Sequence, residues 1–246
     1  MGQEELRGEV PHQLVPGEGA PPHPRQGPFQ PKDASLQSSL RLFPGLLSPP
    51  SGLDLFLDLP SEPGLHLLAF GEGALEALRV AFQGGARSLV LLSPILRRDA
   101  FLEARLQALR FGLERGSVEG FATVGRALFF GPRTAGSEEI FSAWREGLSE
   151  GKVRAWLERL SALGDERRWL RGTEARLLVV QGALDAFTPP PYGREAADWA
   201  KGEALFFAVE GAGHLVPWEA PEEVASWVGD FLLGEGFRPL PGGLAL

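Results

Sequence analysis

The sequence predicts an α/β protein in which a mostly parallel sheet is flanked by helices. Residues 67–70, 88–92, 177–181 and 205–209 are short apolar runs, and three of them lead into glycine-containing turns, as buried parallel strands do. Between residues 94 and 176 the apolar residues instead recur at helical spacing. We therefore expect strands on both sides of a helical region, in one domain, since 246 residues can bury a single large core.

The first sixty residues have the weakest pattern. Residues 11–31 are crowded with proline and glycine and lack the alternation of a strand. We expect residues 1–36 to form an extended N-terminal segment. Two short strands, residues 39–43 and 53–57, are expected to follow it.

The turn after residues 67–70 has the small-residue pattern of a nucleophile elbow. In such an elbow a strand turns sharply into a helix, and the pivot residue has a strained backbone with neighbouring chain close by. Ala69 and Gly73 are the small residues on either side of the pivot, where larger side chains would collide. The pivot, where a serine nucleophile is usual, is Gly71. The sequence thus predicts a nucleophile position without its reactive atom.

An acid and a histidine follow two later strands. Asp185 comes just after residues 177–181 and a glycine turn, and His214 comes after residues 205–209 and a second glycine turn. Because both strands are expected to end at the same edge of the sheet, we expect Asp185 and His214 to lie close together. They are the candidate catalytic residues.

The chain order of pivot, acid and histidine resembles that of the α/β-hydrolase superfamily. The acid loop is similar to the family pattern G-x-x-D-x-x-x-P, with Gly182, Asp185 and Pro189, and an acidic helix start follows the histidine loop at residues 220–224. The resemblance covers residues 65–233. It implies an α/β-hydrolase fold of the esterase, lactonase or proline-iminopeptidase kind, with a core of residues 37–96 and 174–246 and a helical cap of residues 97–173.

The resemblance also bears on the early strands. Family members carry a His-Gly pair after an early strand, which helps to form the oxyanion hole. Pro44-Gly45 is the candidate for that pair here, without the histidine, and the second oxyanion donor stays open. Helices that usually separate the early strands are short or missing, which implies a trimmed N-terminal sheet.

Four helices are expected in the cap. The first begins after Asp99, a good N-cap residue, and ends near Gly116. The others span residues 118–129, 138–148 and 150–163, and each follows a serine: Ser117, Ser137 and Ser149. Aromatic residues of this region either line an apolar pocket or pack in the core: Phe111, Phe121, Phe129, Phe130, Trp144 and Trp156.

Three residues near the pivot have open roles. The backbone N–H of Glu72 is expected at the oxyanion position, and its side chain is either a surface or pocket-rim carboxylate or a nucleophile. The nucleophile alternative would put Phe70 at a tightly packed flank, where its ring fits badly, so we expect Phe70 to line the pocket. Ser93 either lies beside the pocket or simply turns the chain before Pro94.

The amino-acid composition argues against several classes of binding partner and cofactor. The net charge of -8 and the lack of a basic cluster argue against nucleic acid and anionic membranes. There is no cysteine, and the four histidines show no metal-site spacing, so no metal or other cofactor is expected. The lack of an apolar stretch of membrane-spanning length or of a signal sequence predicts a cytoplasmic location. Absent asparagine and abundant arginine are typical of a thermophile or of a genome with biased composition. The oligomeric state stays open.

Two functions are compatible with these residues. Because glycine cannot form an acyl-enzyme, one is a pseudoenzyme with a degenerate triad, which binds a small apolar carbonyl compound or a partner. The other is an active hydrolase or lyase-like enzyme in which Asp185 orients His214 as a general base. An open, polar-lined cavity at His214 would favour chemistry. A cavity filled by Phe70 or by cap aromatics would favour the pseudoenzyme.

Overall fold

A six-stranded sheet forms the centre of the structure, a computed structural model that describes residues 40–48, 53, 56, 59, 61, 64–133, 138–234 and 243–245 (the last three by their backbone alone). The strands are β1 (Leu40–Phe43), β2 (Leu65–Phe70), β3 (Ala86–Leu92), β4 (Arg176–Gly182), β5 (Ala204–Val209) and β6 (Gly243–Ala245). Their order in the sheet is their order in the chain, and β1 to β5 are parallel, whereas β6 is antiparallel to β5. The predicted mostly parallel sheet is confirmed.

Helices flank this sheet. They are α1 (Ala74–Phe82), α2 (Ala100–Phe129), α3 (Glu138–Glu146), α4 (Glu150–Ser161), α5 (Pro190–Asp198), α6 (Val216–Glu219) and α7 (Pro221–Leu232). Short 3-10 turns at Gly71–Gly73 and Glu166–Gly172 complete the connections. Helices α1 and α5 each join two neighbouring parallel strands, as parallel pairing requires.

The central strands are buried on both faces. Consecutive residues Leu67, Leu68 and Ala69 of β2 are all fully buried, and so is most of β3 and β4. This continuous burial is typical of a parallel sheet covered by helices. The polar pair inside it is satisfied, since His66 Nδ1 lies 2.6 Å from Ser88 Oγ.

The early part of the chain differs from the prediction in one respect. A strand over residues 53–57 is wrong, because the described Leu53 and Phe56 lie in a turn in which the Phe56 N–H donates to the Leu53 carbonyl over 3.1 Å. Both side chains are buried, so the apolar residues pack into the core without strand pairing. The expected N-terminal segment, residues 1–36, lies outside the described residues, as do any strands of a trimmed sheet before Leu40.

The region between β3 and β4 is helical, as predicted. Asp99 accepts the Leu102 N–H over 2.9 Å and caps α2, and Ser149 accepts the Lys152 N–H and caps α4. Helix α2 is broken at Gly116 and Ser117, whose backbone angles are not helical, so the two predicted helices meet there. Helices α3 and α4 both end slightly before their predicted ends. The predicted cap Ser137 lies outside the described residues.

A network of ion pairs holds the two ends of this helical region together. Arg97 and Asp165 form an isolated antiparallel bridge through their backbones. The Arg167 guanidinium donates to Asp165 over 2.6 Å and to Glu195 of α5 over 2.5 Å, while Arg97 contacts Glu195 at 3.1 Å. The helical region is therefore tied to the sheet layer through α5.

We expect Asp165→Asn to reduce stability at neutral pH and to weaken the acid dependence of unfolding. Hydrogen bonds from Arg167 hold the pKa of Asp165 below its ordinary value of 3.8. A carboxyl group whose pKa is lower in the folded state stabilises that state fully when the pH is above the pKa of the unfolded state. This stabilisation is lost as the pH falls through the folded-state pKa. Urea unfolding between pH 7 and pH 3 measures the effect, with the exposed Asp198→Asn as control. Equal acid profiles for wild type and Asp165→Asn would contradict the prediction.

Candidate active site

The candidate site residues lie at the edge of the sheet where the parallel strands end. Gly71 directly follows β2, Asp185 follows β4, and His214 follows β5. Ligands of open α/β sheets bind at this edge.

The turn from β2 into α1 has the shape of an elbow. Phe70 is extended, Gly71 has a φ of 57°, and Ala74 is already helical. Side chains rarely adopt the positive φ of Gly71, and Glu72 is not among the positive-φ residues, so the strained pivot is Gly71. A methyl group at Gly73 would overlap the Phe43 carbonyl at the end of β1, which explains the small flanking residue.

The pivot faces the imidazole. A methyl group built on Gly71 would lie 4.0 Å from His214 Nε2 and 3.9 Å from Ile95 Cδ1, both ordinary van der Waals distances. The structure therefore has space for a small side chain between the pivot backbone and the histidine.

Asp185 and His214 form a buried hydrogen-bonded pair. His214 Nδ1 lies 2.8 Å from Asp185 Oδ2, and the two residues are 4% and 3% exposed. Asp185 Oδ1 accepts the backbone N–H groups of Phe187 and Thr188 over 2.9 and 2.8 Å. Its Oδ2 also accepts the Thr188 hydroxyl over 3.1 Å and the Gln181 side-chain amide over 3.2 Å. The carboxylate is thus fully hydrogen-bonded and can orient the imidazole.

Sequence reasoning did not identify Gln181 and Thr188 as partners of this pair. The signal for Thr188 was present, because an aspartate often binds the backbone two or three residues ahead in an Asx-type turn. Gln181 carried no such signal. Its side chain reaches Asp185 only because β4 ends beside the acid loop.

The histidine loop is held from two sides. The His214 N–H donates to the carbonyl of Phe129, the last residue of α2, over 2.8 Å. The Glu219 carboxylate accepts the N–H groups of Gly213 and Gly131, the latter over 2.7 Å. The end of the helical region is therefore part of the support of His214.

A cavity of about 20 Å³ lies beside His214. It is lined by Leu47, Ser48, Phe70, Glu72, Phe129, Trp144, Trp156, His214 and Leu215. Such a volume holds about one water molecule and no ester. Phe70 lines it as expected, with its ring centroid 5.5 Å from that of His214. Phe70 and the aromatic rings of the helical region therefore fill most of the space beside His214.

The predicted cap aromatics divide into three groups. Phe129, Trp144 and Trp156 line the cavity. Phe121 packs behind Trp144 and Trp156, and the half-buried Phe130 contacts Trp144 without reaching the cavity. Phe111 neither lines the pocket nor packs in the core, so both predicted roles are wrong for it. It is 59% exposed on the outer face of α2.

Glu72 is not a surface residue. It is 3% exposed, and its carboxylate accepts the backbone N–H of Leu46 in the loop after β1. This N–H, next to Pro44-Gly45, is the candidate for the second oxyanion donor that the sequence left open. Ser93 is fully buried with a φ of 45°, and its N–H donates to the Val180 carbonyl over 2.8 Å. It does not line the cavity.

The described part of the chain offers no metal-binding cluster and no membrane-spanning helix. No three His, Cys, Asp or Glu side chains are grouped there so that they could hold a metal ion. None of the helices described above is both long and apolar enough to cross a membrane.

Comparison with known proteins identifies the family. A family model described as "Alpha/beta hydrolase family" matches residues 15–227. The chain belongs to the α/β-hydrolase family. No curated protein sequence matches this α/β-hydrolase significantly.

Solved structures share the fold at low sequence identity. A thermophilic esterase from Thermogutta terrifontis is 23% identical over 68% of this chain and 64% of its own, with a TM-score of 0.56. The enol-lactonase from Burkholderia xenovorans is 16% identical over 78% of this chain and 90% of its own, at 0.62. A hydrolase from Pseudomonas aeruginosa is 18% identical over 78% of this chain and 89% of its own, with a TM-score of 0.64. The chain thus spans somewhat less than two thirds of the esterase's length.

Removing the acid is expected to destabilise the fold as well as the site. Asp185→Ala leaves the buried N–H groups of Phe187 and Thr188 without an acceptor, which should cost about 3 kcal/mol of unfolding free energy. Asp185→Asn retains an acceptor oxygen and should cost less. Urea unfolding at pH 7 tests both, and the exposed Asp198→Ala is the control. An Asp185→Ala protein as stable as Asp198→Ala would count against the buried network.

A glycine substitution tests the packing under the histidine loop. A methyl group at Gly182 would overlap the backbone of Ala212 and Gly213, so Gly182→Ala should destabilise by about 1–3 kcal/mol. Gly151 in α4 has open space around it, so Gly151→Ala should be neutral or stabilise by up to about 1 kcal/mol. Chemical denaturation compares the two variants. Equal effects would show that the histidine loop is not packed against β4.

Proposed function

We propose that this α/β-hydrolase does not perform serine-dependent hydrolysis and that its pocket binds a small apolar carbonyl compound. One observation carries the proposal: a methyl group built on Gly71 would lie 4.0 Å from His214 Nε2, and glycine has no side chain there. In a serine hydrolase the hydroxyl at this place attacks the substrate while the histidine takes its proton. Glycine supplies no nucleophile, so no acyl-enzyme forms.

The chemistry of the cavity lining supports the nature of the ligand. Its walls are mostly apolar, with rings from β2 and from the helical region, and His214 and Glu72 add polar groups. Pockets of this composition use the apolar wall for affinity and a few polar groups for orientation. Because the cavity holds about one water molecule, ligand entry requires that wall side chains move.

The hydrogen-bonded pair supports a second candidate function. Nδ1 of His214 faces Asp185, which favours an imidazole whose Nε2 is unprotonated and directed towards the pivot. Such a histidine accepts a proton from a water molecule or an acidic substrate without any elbow nucleophile. Hydrolase or lyase-like general-base catalysis is therefore the alternative.

Hydrolysis of a series of short-chain aryl esters tests the proposal. The wild type should be inert, whereas Gly71→Ser should gain at least about a tenfold rate increase over it, because the hydroxyl restores the missing nucleophile. Gly71→Ala is the matched control, since it introduces the same backbone strain without a hydroxyl. Adding His214→Ala to Gly71→Ser should abolish the gain.

Two outcomes would contradict the proposal. Ester hydrolysis by the wild type that disappears in His214→Ala would establish the general-base alternative. Equal inactivity of Gly71→Ser and Gly71→Ala, with both proteins folded, would show that more than the nucleophile is missing.

A further inference from the structure

The buried carboxylate of Glu72 contacts the loop after β1. In this fold the oxyanion hole uses the backbone N–H of the residue after the pivot and an N–H from the loop after a neighbouring early strand. Here the residue after the pivot is Glu72 itself. Its side chain turns towards the loop after β1 and accepts the Leu46 N–H.

The sheet brings these groups together. Strand β1 pairs with β2 in parallel, with Phe43 opposite Ala69, so the loop after β1 begins beside the pivot. A methyl group on Gly45 would lie 2.7 Å from Glu72 Oε2 and 3.2 Å from its Cδ. The carboxylate is thus packed directly against the backbone of this loop, and the glycine leaves room for it.

The Glu72 carboxylate is buried and accepts a backbone hydrogen bond, as a bound anion would. Glu72 is 3% exposed, and carboxylates are rarely buried without a compensating partner. Within the described chain its hydrogen-bond partner is a backbone N–H group, and no ion pair is found.

We propose that the Glu72 side chain fills the oxyanion site of this fold, where the Leu46 N–H would otherwise bind a carboxylate or carbonyl oxygen of a ligand. A ligand therefore binds only when it displaces that side chain. The same side chain lines the cavity beside His214. The proposal rests on the proposed function for the nature of the natural ligand alone, because the site itself is testable without catalysis.

Acetate is the probe for the vacated site. Glu72→Ala should lower the melting temperature, because the buried Leu46 N–H loses its acceptor. Sodium acetate, compared with sodium chloride at equal ionic strength and pH 7, should raise it again by about 2–4 °C at ten times the dissociation constant. Wild type and Glu72→Gln, which keeps an acceptor oxygen in place, should not respond. If Glu72→Ala does not fold, Glu72→Ser carries the same measurement. A folded variant that responds to acetate no more than the wild type overturns the proposal.

Ester hydrolysis in the Gly71→Ser background tests the blocking role. Combining Gly71→Ser with Glu72→Ala should raise kcat/KM at least about tenfold over Gly71→Ser, since oxyanion donors contribute strongly to acyl transfer. Combining it with Glu72→Gln should leave kcat/KM low. An active Gly71→Ser protein that gains nothing from Glu72→Ala overturns the blocking role.

The two experiments separate the two proposals. An acetate response without hydrolysis in any Gly71→Ser protein supports the binding site and contradicts the claim that only the nucleophile is missing. Hydrolysis by Gly71→Ser without an acetate response in a folded Glu72→Ala contradicts the binding site and leaves the proposed function intact.

Discussion

The close contact between the β2–α1 turn and the backbone after β1 determines the shape of the candidate site. Gly73 has no room for a side chain because the Phe43 carbonyl lies against it, and Gly71 bends the chain through a positive φ. Together they place Glu72 within hydrogen-bonding distance of Leu46 in the loop after β1. Strand pairing, rather than any attraction between side chains, therefore decides which groups surround the pivot.

A second close approach supports the histidine. Gly182 packs against the backbone of Ala212 and Gly213, which sets the distance between the acid loop and the histidine loop. Asp185 then reaches His214, while its other hydrogen bonds come from its own loop and from Gln181 in β4. Because both oxygens of Asp185 are hydrogen-bonded, this carboxylate keeps the imidazole oriented beside the glycine pivot.

Much of the site was predictable because its signals are local. The elbow, Asp185 and His214 each follow a strand and a glycine turn, and chain order alone assigned their places. The strand at residues 53–57 was wrong because a short apolar run packs equally well in a turn as in a strand. Phe111 was misjudged because helical spacing does not say which face of α2 is covered.

The sequence by itself determined the family, the order of the site residues and the absence of a nucleophile at position 71, since these depend on residue identity and spacing. Only the tertiary structure decided that Glu72 points inward to the Leu46 N–H, that Gln181 supports Asp185, and that aromatic rings leave a cavity of about 20 Å³. These features depend on contacts between residues far apart in the chain. Such contacts leave no periodic signal in the sequence, because packing in three dimensions selects them.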